Sequence, residues 1–206
     1  MTKEGLYFTL PFLILAAALF YLFHRTMSVA LLYACIALFY LGLLIALFFR
    51  DPERKVPRGE KLILAPADGK IIRLENEDDG ISLSIFLSIY NVHVNRSPIQ
   101  GRIRSLEFRP GRFRPAFRPE ARHQNQRNEI EIEADRVMVK MNQVSGAIAR
   151  RAICYKKPGD HVDAGERIGL IRFGSRVDLL LPQGCAIDVI PGQRILAGET
   201  IIGRLP

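Results

Sequence analysis

The chain has no tryptophan and only three cysteines, Cys35, Cys154 and Cys185. Three thiols, one of them inside an apolar block, make no disulfide framework. None sits in a CxxC pair or a Cys/His cluster, so a structural zinc site is excluded and no metal is expected. Acid is missing from a long stretch. Between Gly5 and Phe49 there is no Asp or Glu, and the only basic positions are His24 and Arg25. Such a run excludes both a disordered chain and a simple soluble globule. The remainder carries nearly all the charge, and the whole chain of 206 residues has 29 Lys and Arg against 21 Asp and Glu, a net +8.

The apolar block divides into two spans. Gly5–Phe23 gives 19 residues and Met27–Phe49 another 23, separated by His24, Arg25 and Thr26. About 20 apolar residues carry a helix across the hydrocarbon core, because each adds about 1.5 Å of rise. Helix is the only open form that pairs its backbone polar groups in lipid. The expectation for residues 1–49 is a helical hairpin turning at 24–26 with both ends on one side. Pro11 sits early in the first span and is placed to kink it. Arg50, Arg54, Lys55, Arg58 and Lys61 come soon after the second span. The positive-inside rule puts that end, and the domain after it, on the cytoplasmic side of the cell membrane. The alternative is a cleaved signal peptide processed at Ala16–Ala18, but the apolar run continues beyond it.

After a charged linker, residues 50–61, the texture changes. Short Ile- and Val-rich runs alternate with Gly and Pro: Lys70–Leu74, Ile81–Ile89, Glu129–Ile132, Val137–Met141, Ala147–Ile153, Arg167–Arg172, Val177–Leu181 and Ala186–Ile190. Their length and spacing predict a mainly β domain over 62–206, a sandwich or barrel. A nine-residue pattern, P-G-x-x-apolar-x-A-G-E, occurs at Pro158–Glu166 and again at Pro191–Glu199. Gly supplies the positive φ of tight turns, so each occurrence reads as a turn–strand–turn unit. Two of them suggest a pseudo-symmetric sandwich resembling lipoyl or biotinyl carrier domains. The residues between them hold Phe173-Gly174-Ser175 in place of a carrier lysine.

Three places combine turn residues with reactive side chains. In Ala65-Pro66-Ala67-Asp68-Gly69-Lys70, Asp68-Gly69 by itself reads as a β-turn. In Ser88–Pro98, His93 closes an apolar run among Asn91, Asn95 and Arg96; a lone histidine there is either a hydrogen-bonded structural residue or a catalyst. In Ile171–Asp178, Gly174-Ser175 interrupts what would otherwise be one long strand. Asp68, His93 and Ser175 could form an Asp–His–Ser set, which is recognised by geometry and not by chain order.

The tracts APADGKI (65–71), YNVHVNRSPIQG (90–101), GERIGLIRFGSRVDLLLP (165–182) and GQRILAGETI (192–201) closely resemble phosphatidylserine decarboxylases, in particular their short bacterial and archaeal-like branch. The resemblance covers essentially all of 50–206. It implies a proenzyme that cuts itself between Gly174 and Ser175. Ser175 would attack the Gly174 carbonyl, His93 would take its proton, and Asp68 would orient the ring. A large chain (1–174) and a small chain (175–206) would stay together as a heterodimer, and higher oligomers remain open. Ser175 would become a pyruvoyl group, the covalent cofactor, forming a Schiff base with phosphatidylserine. His93 would then return a proton after CO2 leaves, and phosphatidylethanolamine would be released. The resemblance also points to Arg127 and Asn128, within Gln126-Arg127-Asn128, as substrate-binding residues.

Residues 102–127 hold Arg102, Arg104, Arg109, Arg112, Arg114, Arg118, Arg122 and Arg127 interleaved with Phe108, Phe113 and Phe117, and Pro110, Pro115 and Pro119 prevent regular helix. A solvated loop is one reading; the favoured one is a membrane-facing loop in which Arg112 and Phe113 meet lipid. Nucleic acid could bind such a tract, but two preceding spans argue against it. Two other functions stay open: a membrane-anchored carrier or adaptor with no chemistry, and a membrane serine hydrolase using Ser175.

Overall fold

The computed structural model describes residues 1–135, 137–147, 151–172 and 175–206. The chain forms two compact units, Met1–Glu53 and Arg54–Pro206.

The first unit is a helical hairpin of α1 (Lys3–Thr26) and α2 (Val29–Phe48). Thr2 caps α1, its hydroxyl accepting from Gly5 N at 3.1 Å. The helix runs through His24–Thr26, the residues expected to turn, and stops at Met27, which takes φ 54° and donates to the Phe23 carbonyl. A left-handed residue after the last turn satisfies carbonyls that the helix leaves open. The two free ends meet, with Thr2 N donating to Phe49 O at 3.1 Å. Both helices are long and apolar enough to cross a membrane, and most of their apolar side chains are exposed in the hairpin.

The second unit contains β1 (Leu62–Leu64), β2 (Gly69–Glu77), β3 (Gly80–Leu87), β4 (Val94–Arg96), β5 (Gly101–Arg109), a single turn α3 (Ala121–Gln124), β6 (Arg127–Ala134), β7 (Val137–Val144), β8 (Ala152–Cys154), β9 (His161–Val162), β10 (Arg167–Ile171), β11 (Ser175–Leu181), β12 (Ala186–Ile187), β13 (Arg194–Ile195) and β14 (Ile201–Arg204). Eight strands form one antiparallel sheet in the order β13-β2-β3-β11-β7-β6-β5-β9, and two three-stranded sheets, β1-β14-β12 and β4-β10-β8, complete the domain. Isoleucine, leucine and valine from alternate strand positions fill the interior, among them Ile71, Leu83, Ile85, Ile103, Ile130, Ile132, Val177 and Leu179.

The expected pseudo-symmetry is present and goes further than the nine-residue repeat. Its two occurrences contain β9 and β13, which edge the large sheet at opposite ends. Ile71 N donates to Gln193 O as Ile103 N donates to Asp160 O; Gly198 N donates to Ala65 O as Gly165 N donates to Ser97 O. These equivalences pair Leu64–Ile71 (LAPADGKI) with Arg96–Ile103 (RSPIQGRI), a second repeat whose shared residues are few. The ends of the curled sheet come together where a Cβ on Gly198 would stand 3.5 Å from Gly165 Cα. Gly165 and Gly198 have positive φ, 78° and 73°, which a side chain would strain.

Two expectations change. Residues 102–109, read as the start of a loop, belong to the nine-residue strand Gly101–Arg109, which pairs with β6. The alternation around buried Ile103 is a half-buried strand pattern, hidden by its arginines. The charged linker is also not free. Arg54 is bound to Asp68, and Lys55 N donates to Glu199 Oε1 at 3.1 Å.

Candidate active site

Strand β11 begins at Ser175, which pairs with Leu87 on β3. Its neighbour Arg176 pairs with Val144 on β7. A strand alternates its side chains, so Ser175 shares a face with Val177 and Leu179 in the core, and Arg176 shares the other with Asp178. Ser175 is fully buried, and its Oγ has no hydrogen-bond partner among the described residues. Gly174, the expected cleavage partner, lies outside the described residues. Strands β10 and β11 lie in different sheets.

His93 is fully buried where the chain enters β4. Its carbonyl accepts from Ile171 N at 3.2 Å, which ties it to the strand end leading towards Ser175. Its Nδ1 stands 2.9 Å from the Asn91 carbonyl. A carbonyl only accepts, so Nδ1 carries the proton and Nε2 is the basic nitrogen of the ring. Asn91 is itself held, its Oδ1 accepting from Ser88 N at 2.9 Å and Ser88 Oγ at 2.8 Å.

Asp68 is buried, but its hydrogen bonds do not run to His93. Arg54 reaches both carboxylate oxygens at 2.9 Å, and Ala197 N donates to Oδ1 at 2.8 Å. A buried carboxylate needs a counter-charge, and a bidentate guanidinium supplies it better than a neutral imidazole. The contact at His93 Nδ1 is the main chain of Asn91, while Asp68 is engaged by Arg54 and Ala197.

A chain of amides crosses the interior. Asn128 Nδ2 donates to Gln143 Oε1 at 3.0 Å, and Gln143 Nε2 donates to Asn95 Oδ1 at 2.9 Å. Gly169 leaves the room for it, since a Cβ there would lie 2.5 Å from Gln143 Nε2. The spacing of Asn95 two residues after His93 was its only signal in the sequence. Arg54 and Gln143 gave none.

The opposite face of β11 is closed by charge. Arg176 Nε donates to Asp178 Oδ1 at 2.5 Å, its Nη2 to Ser84 Oγ at 2.7 Å and its Nη1 to the Arg118 carbonyl at 3.4 Å. Much of the Arg-rich tract packs here. Phe117 meets Phe86 edge-on with centroids 6.2 Å apart, and Arg122 pairs with Glu77. Asn125 holds the segment by bonding Arg114 at both N and O, and Ser145 O. The four expected substrate-binding residues are not gathered. Asn128 joins the buried amides, while Arg127 points the other way, bonding Glu129 and the His123 carbonyl in an outer groove of about 340 Å³. Arg112 is fixed through its main chain to Gln124 and Gln126, and Phe113 is exposed.

Burial tends to raise the Glu129 carboxyl in that groove, but hydrogen bonds from Arg109 and Arg127 outweigh it and hold the group below the usual carboxylate range. Burial pushes the Cys154 and Cys185 thiols up, which disfavours the reactive thiolate. The unpartnered nucleophile among the described residues of this interior is a hydroxyl.

The sequence pattern of the phosphatidylserine decarboxylase family matches residues 41–203. A phosphatidylserine decarboxylase proenzyme of Solibacter usitatus is 42% identical over 204 residues, spanning 99% of this chain and 96% of that protein. Proteins of the same name from Pelodictyon phaeoclathratiforme and Chlorobium luteolum are 45% and 47% identical over 163 residues, 76% of this chain and 77% of each of them. The buried serine, the fixed histidine and the carrier-like turns therefore belong to a chain that is a member of the phosphatidylserine decarboxylase family.

Proposed function

We propose that this chain is a membrane-anchored proenzyme that cuts itself between Gly174 and Ser175 and then decarboxylates phosphatidylserine, giving phosphatidylethanolamine and CO2. The relatives are named as proenzymes of that activity. The observation that carries the reading is the Ser175 hydroxyl, fully buried and unpartnered among the described residues at the start of β11. An unmet buried hydroxyl costs about 1–3 kcal/mol, and such groups need a reason. Consumption of this one during maturation is that reason.

Ser175 Oγ adds to the carbonyl of residue 174, and His93 takes its proton at Nε2. The proton that Nδ1 shares with the Asn91 carbonyl holds the ring in the tautomer this requires. Asp68 acts at a distance, keeping Arg54 and the Ala197 main chain in place around it. Elimination would carry Ser175 Oγ away on the carboxylate of residue 174, and water would then replace the α-nitrogen, lost as ammonia, by the ketone oxygen; the interior fits this, since the departing Oγ has no hydrogen bond to lose among the described residues. A pyruvoyl group there would supply the electron-accepting carbonyl chemistry that decarboxylation of an amino acid headgroup needs. His93 is then the acid that returns a proton to carbon.

The two chains remain a heterodimer because the sheet holds both. Small-chain β11 lies between β3 and β7, β13 pairs with β2, and β14 with β1. The basic residues after α2 support a place at the cytoplasmic face of the cell membrane, with membrane phosphatidylserine as substrate.

Mass spectrometry of the purified protein tests this. The expected product is a small chain starting at position 175 that reacts with carbonyl reagents. Ser175→Ala should remain whole and inactive. His93→Ala should lose at least about 10²-fold in cleavage rate, the ordinary contribution of a general base. An intact wild-type chain whose serine labels with a serine-directed probe would support a hydrolase instead; an intact and unreactive one would leave an adaptor.

A further inference from the structure

The amide chain has a fixed direction, and that direction leaves one donor unused. The Ile153 carbonyl only accepts, so the Gln143 atom facing it at 3.4 Å is Nε2. The same nitrogen reaches Asn95, so the Asn95 atom it meets is Oδ1. At the far end Asn128 Nδ2 donates to Gln143 Oε1, consistent with this sense. Asn95 is thereby held with its Nδ2 outward from the chain of amides. Asn95 is fully buried, and that nitrogen has no partner among the described residues.

Asn95 and Ser175 are joined by register. Val177 stands opposite Gln143 between β11 and β7. Ser175 is two residues from Val177, on the same face. Asn95 pairs with Gly169 on β10, and two positions further along that strand Ile171 N binds the His93 carbonyl. The Asn95 N–H thus lies on β4, the His93 base just before it and the Ser175 hydroxyl at the start of β11, and neither the N–H nor the hydroxyl has a partner among the described residues.

We propose that Asn95 Nδ2 is the oxyanion donor for self-cleavage, an assignment that rests on the cut at 174/175. As Ser175 Oγ bonds to the carbonyl carbon of residue 174, the carbonyl π pair moves onto oxygen and the hydroxyl proton passes to His93. The Asn95 N–H meets that oxygen as its charge develops. Collapse restores the carbonyl, breaks the C–N bond and returns the proton to the Ser175 amine, so the peptide becomes an ester with no other reactant. Donors fixed in advance in a dry interior act best on charge that appears only in the transition state.

The test uses the full-length proenzyme synthesised into phosphatidylglycerol-containing vesicles, with loss of the uncut chain measured over time at several pH values. Asn95→Asp keeps the shape and the acceptor for Gln143 but removes the N–H. Its cleavage at pH 8 should be slower by about 10²–10³-fold, the usual loss for one oxyanion donor. It should recover as pH falls and the carboxylic acid regains a proton to donate, in the opposite sense to the wild type, whose base is lost on protonation. A rate within threefold of wild type at pH 8, or a pH profile parallel to wild type, overturns the assignment. Should Asn95→Asp not fold, Gln143→Leu leaves the donor present but unheld, and should cut about tenfold more slowly, the worth of one hydrogen bond; an unchanged rate overturns the proposal equally. A wild-type chain that never cuts defeats the proenzyme reading itself, whereas a cutting wild type with an equally fast Asn95→Asp defeats only the role of Asn95.

Discussion

The two faces of β11 use their polar groups in opposite ways. On one face Arg176 donates to Asp178, Ser84 and the Arg118 carbonyl, in a residue only 1% exposed. On the other, Ser175 is equally buried and its hydroxyl bonds to none of the described residues. One residue apart, the strand carries a hydrogen-bonded ion pair and a hydroxyl with no partner among the described residues. The outer face binds the Arg-rich segment to the sheet and holds β11 still. The outer face has open groups of its own, Asp178 Oδ2 and Ser82 Oγ, but its ion pair ties β11 to the segment around Arg118, while the inner face offers a single hydroxyl set among core side chains. Stability and chemistry are thereby divided by the simple alternation of a strand.

The largest effect should come from breaking the outer face. Arg176→Met leaves Asp178 buried without its partner, and removing one member of a buried pair costs about 3–5 kcal/mol. It is best measured in a Ser175→Ala background, so that both proteins are uncut, by thermal unfolding in detergent. Arg176→Met combined with Asp178→Leu should recover most of the loss, because paired hydrophobic replacements are often neutral. Ser175→Ala itself should leave the melting temperature unchanged or slightly raised, since it removes an unmet buried hydroxyl. A Ser175→Ala protein as unstable as the Arg176 variant would erase the distinction between the faces.

Asp68 comes next, because it joins parts of both expected chains. Arg54→Met should destabilise by several kcal/mol, again by stranding a buried carboxylate. Arg54→Lys should cost less, about 1–2 kcal/mol, since a point charge replaces a two-pronged contact. Equal effects of the two substitutions would show that the fork geometry at 2.9 Å to both oxygens is irrelevant.

How far the sequence revealed these arrangements depends on distance along the chain. The hairpin was legible because its signal is composition over the whole run between Gly5 and Phe49, although the turn fell later, at Met27. The β architecture and the carrier-like repeat were legible because Gly and alternating Ile and Val act locally. Ser175 and His93 stood out through the motifs around them. Arg54 did not, because it lies 14 residues from Asp68 inside an apparently solvated linker. Gln143 did not, because an amide that bridges sheets leaves no periodic trace. Strand β5 was missed since a strand edged with arginine looks, residue by residue, like a loop. Arg127 and Asn128 part for a related reason: neighbours in a strand face opposite sides, and only one of them reaches the interior.

The smallest predicted effect lies at the rim of the outer face, where Arg122 reaches Glu77. The hydrogen bond from Arg122 holds the Glu77 carboxyl below the usual carboxylate range, against the opposing pull of burial. A carboxyl whose folded value is depressed stabilises the fold above its unfolded value, about pH 4.3, and loses that contribution as pH falls through the lower folded value. Glu77→Gln should therefore be less stable than the parent by about 0.2–1 kcal/mol near pH 7, as expected of a pair partly open to water. The difference should disappear at acid pH, where the parent carboxyl is also neutral, and it should shrink in high salt. Melting curves of the two proteins in the uncut Ser175→Ala background, taken from pH 7 to pH 3, read this directly. A difference that persists at pH 3 would mean that Glu77 contributes by packing and not by charge. The rim would then belong with the rigid outer face, and its electrostatics would have no part in seating the Arg-rich segment on β11.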